Sequence, residues 1–193
     1  MAHSASSTSE PPIVTADRPA SRRLKVTLKD LDDRTAKTGP AILALTGGEG
    51  TPQYCISVYR ATPLERIGMI RQGIRASEAK RLFAALPIGQ GAGFRALNLS
   101  TATVNKKAKR GDMLSPEESE RVVGFARLVG QLEAMIEDSG DPAGFDARAW
   151  MARWLTEPLP ALGGTRPADL MDTMEGQGIV SNALAMIQSG AYA

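Results

Sequence analysis

Between Ser100 and Arg110 the chain gathers eight side chains able to bond a polyanion: Ser100, Thr101, Thr103, Asn105, Lys106, Lys107, Lys109 and Arg110. The first five can hydrogen-bond base edges and phosphate oxygens. Lys107, Lys109 and Arg110 are cations at the far end, suited to phosphates and to salt-sensitive binding. Upstream, Phe94-Arg95-Ala96-Leu97 reads as the end of a helix, and Asn98 suits a left-handed turn position. Helix, three-residue turn and polar helix together read as a helix-turn-helix, whose second helix enters the major groove of DNA. An exposed amphipathic helix with a basic face would carry the same residues.

Other chemistries have little to work with. His3 is the single histidine and Cys55 the single cysteine, which leaves no histidine metal site, cysteine zinc site or internal disulfide to build. One cysteine also suits a reducing cytoplasm. Glu117, Glu118, Glu120, Asp169 and Asp172 sit at expected helix starts and outer faces, where helix-dipole and solvation roles explain them better than acid–base work. No enzymatic activity and no cofactor are expected. MAHSASSTSE lacks the apolar segment of a secretory signal, and no stretch approaches the roughly 18 apolar residues of a membrane span.

The formal net charge of +2 conceals a strong segregation. Residues 60–110 carry eleven Lys/Arg against two Glu, a net +9, whereas residues 111–193 carry five Arg against thirteen Asp/Glu, a net −8. Residues 1–59 are close to neutral at +1. A basic half is steered toward nucleic acid, and an acidic half is left free for a protein. The alternative is that the two halves pair with one another inside the molecule.

The elements that must position these groups are helical. Residues 1–23 are rich in Ser, Thr, Pro and Ala and read as a disordered tail. Residues 24–28 and Ile56-Ser57-Val58 alternate like short strands, separated by the breakers Gly39-Pro40 and Gly47-Gly48-Glu49-Gly50. Thr62, Pro63 and Glu65 open a helix with a capping box, with Leu64, Ile67 and Ile70 as its apolar stripe and Gly73 as its end. Ala79, Leu82, Phe83 and Leu86 mark a second helix. Ser100 caps the helix over 101–110, closed by Gly111. Ser115, Pro116 and Glu118 open a long helix to about residue 138. A further helix covers about 146–156, where Trp150 and Trp154, four residues apart, are expected in the core. Pro158–Gly164 forms a turn, Pro167 opens a short helix through Met174, and residues 178–189 form the last helix. The expected fold is all-α: an N-terminal helix-turn-helix DNA-binding domain over 60–112 and a C-terminal helical domain over 113–193. Residues 1–59 form a disordered or weakly ordered extension.

Several segments in order resemble one family. They are Leu97-Asn98-Leu99-Ser100 with its polar helix, LSPEESER at 114–121, Trp154-Leu155, PALGGTRPADLM at 160–171 and the closing Gly190-Ala191-Tyr192-Ala193. Over about residues 60–193 the chain resembles the Xre/MbcA/ParS antitoxins, partners of RES-domain toxins in bacterial type II toxin–antitoxin systems. The resemblance implies a DNA-binding domain that represses its own promoter and a dimerising, toxin-binding C-terminal domain. It also implies that the C-terminal region blocks the active site of an NAD⁺-consuming toxin. Carried over, Leu162, Gly163, Gly164 and Pro167 match the turn before the final helices, and Gly190, Tyr192 and Ala193 the closing motif, with Tyr192 as an aromatic plug. The chain departs from the family at Gly89, Gly91 and Gly93 in the first helix of the DNA motif and at the Ser139–Phe145 link. The implied partners are operator DNA, a RES-domain toxin and a second copy of the chain within a larger complex, in the cytoplasm and without a membrane. The rival reading is a helix-turn-helix regulator whose C-terminal half only dimerises or senses a ligand. An adaptor at the membrane surface would need a basic amphipathic helix with a broad apolar face, which is lacking.

Overall fold

A long helix in the second half of the chain organises the rest. The computed structural model describes residues 51–139 and 144–188. Among them are eight α-helices: α1 Thr51–Arg60, α2 Pro63–Gln72, α3 Ala76–Ala84, α4 Gly89–Ala96, α5 Thr101–Arg110, α6 Pro116–Ser139, α7 Ala147–Thr156 and α8 Met174–Gln188. Two 3-10 turns, Pro160–Leu162 and Pro167–Leu170, precede α8. Among the described residues β-pairing is limited to isolated bridges, Arg75 with Met113 and Leu159 with Thr165. The all-α expectation holds.

α6 is buried on most of its circumference through Val122, Val123, Phe125, Ala126, Leu128, Val129 and Leu132, the signature of a central rather than a surface helix. The Ser115 capping box starts it as expected: Glu118 N–H donates to Ser115 Oγ at 3.2 Å, and Ser115 N–H to Glu118 Oε2 at 2.7 Å. α1, α2, α7 and α8 all pack on α6.

Two expectations about the first two helices fail. Local pattern puts residues 1–59 in a disordered or weakly ordered extension with short strands at 24–28 and 56–58; residues 1–50 lie outside the described residues, and 51–59 form α1, with Cys55 and Val58 fully buried. The alternating Ile-Ser-Val pattern gives way to tertiary packing, because α1 docks where α6 carries Gly130 and no side chain intervenes. The apolar stripe of α2 also turns differently. Met69 is buried, whereas Leu64 and Ile67 are 55 % and 41 % exposed. The roll is set by Arg66, whose guanidinium donates to the carbonyls of Val58, Tyr59 and Ala61 at the end of α1. Those carbonyls lack helical partners, and the cationic Nη1 of Arg66 shares its N–H groups among them.

One of the three glycines of α4 is explained by packing. Gly93 faces the ring of Phe83 on α3, and a Cβ there would overlap that ring. The close approach lets Phe83 stack edge-on with Phe94 at 5.1 Å and pack on Phe125 at 4.8 Å. Trp150 and Trp154 on α7 stack at 5.7 Å; Trp154 is buried and Trp150 half-buried against the core.

Where α1, α6 and α7 meet, Glu133 of α6 is largely buried near Cys55 and Arg148, and its Oε2 has no hydrogen-bond partner among the described residues. Burial pushes its carboxyl up to about 7, against the opposing pull of Arg148 and with the help of Glu137. The folded state therefore prefers the protonated acid. That preference contributes stability below the ordinary carboxyl range and is lost as pH rises through about 7. Glu133→Gln should match the parent near pH 5 and exceed it near pH 8, by roughly 1 kcal/mol once solvent screening is allowed for. Urea unfolding at the two pH values checks this, and equal stabilities at both would refute it.

Candidate functional site

The turn before α5 is built by local rules. Asn98 adopts φ 51°, the left-handed conformation, and Leu99 N–H closes on the Phe94 carbonyl at 2.8 Å. Ser100 caps α5 by accepting from Thr103 N–H at 3.3 Å, and Gly111 ends the helix at φ 75°. Leu97, Leu99 and Val104 are buried and fix how α5 sits. The opposite side carries Thr101, Thr103, Lys106, Lys109 and Arg110, all exposed. Asn105 is half-buried at the edge of this face, and the exposed Ser100 is engaged as the cap. α4, the turn and α5 thus present one open polar and cationic face.

Lys107 is different. It is half-buried and forms an ion pair with Glu118 in the first turn of α6. Burial pushes the Glu118 carboxyl up, but the hydrogen bonds from Lys107 and from Ser115 N–H outweigh it and hold the group below the usual carboxylate range. Lys107 therefore ties α5 to α6 instead of standing on the open face.

The other candidate residues lie after α7. Leu159 and Thr165 close a loop, Leu159 N–H donating to the Thr165 carbonyl at 3.2 Å and Gly164 N–H to the Leu159 carbonyl at 2.9 Å. Gly163 and Gly164 sit at its exposed tip with φ 63° and 82°, conformations that favour glycine. Leu162 packs half-buried against the core, and Pro167 is buried as the first residue of the second 3-10 turn. Arg166 clamps Asp169 through two hydrogen bonds of 2.8 and 3.0 Å. Gly190, Tyr192 and Ala193 lie outside the described residues. A polar cleft of about 520 Å³ runs between α4 and this loop, lined in part by Arg95, Asn98, Arg166, Asp169 and Asp172, so the two candidate surfaces adjoin.

The sequence reading missed the buried polar ties that hold these parts. Gln177 of α8 donates from Nε2 to the carbonyls of Arg121 at 3.1 Å and Met171 at 2.9 Å. Gln131 and Ser181 pair reciprocally between α6 and α8, at 3.0 and 2.6 Å. Ser119 Oγ accepts from Ile74 N–H at 2.9 Å, joining α6 to the segment before α3. The available signal was a glutamine between two glycines, Gly176 and Gly178, inside an apolar helix. Among the described residues no three His, Cys, Asp or Glu side chains converge as a metal site, and no helix is long and apolar enough to cross a membrane.

Two family models match this chain. The antitoxin Xre-like helix-turn-helix domain covers residues 65–127, and the antitoxin Xre/MbcA/ParS C-terminal toxin-binding domain covers residues 131–190. The two matches meet inside α6. The chain is also similar to the Prs ADP-ribosylating antitoxin of Sphingobium sp. (strain YBL2), with 59 % identity over 147 residues, spanning 76 % of this chain and 92 % of that protein. A helix-turn-helix with an open cationic face, followed by a toxin-binding domain on a shared central helix, places this chain in the Xre/MbcA/ParS antitoxin family.

Proposed function

We propose that this antitoxin neutralises a RES-domain toxin by occluding its NAD⁺ site and represses its own operon as a homodimer on operator DNA. Neutralisation works by occupation, with no catalysis by the antitoxin itself. The name of the Sphingobium relative couples antitoxin to ADP-ribosylation, which favours a toxin that transfers ADP-ribose from NAD⁺ over one that only hydrolyses it. On the toxin side the exposed Gly163–Gly164 tip, anchored by Leu162 and Pro167, and the closing Gly190, Tyr192 and Ala193 supply the contact. On the DNA side the readers are Thr101, Thr103, Asn105 and Lys106, with Lys109 and Arg110 on phosphates. Lys107, being paired with Glu118, contributes through the position of α5. Leu64 and Ile67, apolar and open on α2, suit contact with a second copy.

The observation that carries the reading is the geometry of α5, sealed by Val104 on one side and polar and cationic on the other. Its test uses the full chain with the product of the adjacent gene. Thr103→Ala with Lys106→Ala should lower affinity for the promoter duplex by roughly 1–3 kcal/mol for each base contact removed and reduce discrimination against a shuffled duplex. Toxin neutralisation should be untouched. Deleting residues 190–193 should do the reverse. Unchanged promoter affinity across salt concentrations would remove α5 as the reader, and intact neutralisation after the deletion would remove the plug.

A further inference from the structure

The two flanks of α5 differ electrically. On the α6 flank Lys107 is cancelled by Glu118. On the other flank a groove of about 380 Å³ opens between α3, the start of α4 and the last turn of α5. Its polar lining is Ser77, Lys80, Arg81, Gln90 and Lys109, and among the described residues no carboxylate lines it. Glu78 approaches Arg81 only at 3.9 Å, leaving that guanidinium side chain 61 % exposed. Gln90 Nε2 donates to the Lys80 carbonyl at 3.2 Å, tying the start of α4 to α3 along one side of the groove. Lys109 stands one turn beyond Asn105, so the groove continues the open face of α5.

We propose that this groove seats the sugar-phosphate backbone of the DNA whose bases α5 reads, which makes α3 a second contact element. The inference rests on the DNA-binding reading above. Lys80 and Lys109 offer point charges, Arg81 a forked donor, and Ser77 a hydroxyl, all of which match phosphate oxygens. The walls between them, Ala84 and Ala108, are small and leave room for a backbone while offering nothing to read a base. The groove therefore supplies affinity and register without sequence information. The backbone passes on the α3 flank of α5, because the α6 flank has already neutralised its cation.

The test titrates the full chain with two duplexes, its own promoter region and a shuffled sequence of equal length, over a series of salt concentrations. Lys80→Gln with Arg81→Gln should weaken binding to both duplexes by the same factor, roughly ten- to a hundredfold near 0.1 M salt. It should also flatten the log–log salt slope by about 1.8, at about 0.9 for each phosphate no longer neutralised. The ratio between the duplexes should not move. Lys80→Arg with Arg81→Lys, which keeps both charges, should retain affinity and slope, and this excludes a folding defect at the site. An unchanged slope in the Gln pair, while Thr103→Ala with Lys106→Ala still alters the ratio, would overturn the groove and leave α5 as reader. A Gln pair that changes the ratio would also overturn it, since the groove would then be reading bases. A parent chain that binds neither duplex would remove the DNA reading and the groove with it.

Discussion

Gly130→Val is expected to drive α1 off the core and to cost about 2–4 kcal/mol of stability. Gly130 lies on α6 against the backbone of α1, and a Cβ there would overlap the Cys55 carbonyl group and crowd the Ile56 nitrogen. Those are backbone atoms in a helix, so they cannot swing aside as a side chain would. α1 brings Cys55, Ile56 and Val58 into the core, all buried, so displacing it exposes apolar surface as well as disrupting the packing. The chain carries its own reporter. Cys55 is its single cysteine, fully buried, and burial pushes its thiol far above the ordinary range. In the native parent it should resist a thiol reagent, because little thiolate forms and access is closed. In the variant it should label readily, and Gly130→Ala should fall between. An unchanged melting temperature with an inert thiol would show that α1 does not depend on the close approach.

The same helix marks the limit of what local rules reveal. Features decided within a few residues were legible: the capping boxes at Thr62–Glu65 and Ser115–Glu118, the left-handed Asn98, the Ser100 cap and the Gly111 stop all appear as read. The features that were missed are set by partners far along the chain. Ile56-Ser57-Val58 looks like a strand until α6 offers a bare glycine 74 residues from Ile56. The roll of α2 depends on Arg66 finding the end of α1, and Gly93 of α4 makes sense only beside Phe83. Lys107 reads as one cation among four until Glu118 is placed next to it. At the other end Pro167 opens a single 3-10 turn instead of a helix reaching Met174, and α8 begins at Met174 instead of 178. Gly176 lets the start of α8 lie directly on the Leu170 carbonyl, which leaves no room for a longer preceding helix. Of the candidate surfaces, the chemistry of α5 was legible and its uneven flanks were not.

Gln177→Leu should separate the two activities of the antitoxin. Gln177 is 3 % exposed and holds the start of α8 to α6 and to the segment after the second 3-10 turn through the Arg121 and Met171 carbonyls. Leucine fills a similar volume but donates nothing, so at least the buried Met171 carbonyl is left without its side-chain donor. A buried polar group stripped of its partner costs about 1–3 kcal/mol. The cost falls locally, on α8 and on the Pro167–Leu170 turn that follows the Gly163–Gly164 tip. α5 and its cap share no hydrogen bond with Gln177 among the described residues. Toxin capture should therefore drop by roughly tenfold or more while promoter binding stays within about twofold. Gly124→Ala should reproduce the effect from the opposite side, because a methyl there would overlap Gln177 Oε1. The two substitutions together should cost less than their sum, since both break the same interaction. Pull-down with the toxin and a promoter shift on the same preparations decide the matter. Equal loss of both activities would mean that α6 transmits the damage, so that the DNA-reading and toxin-binding parts, though matched by separate family models, stand or fall as one cooperative unit.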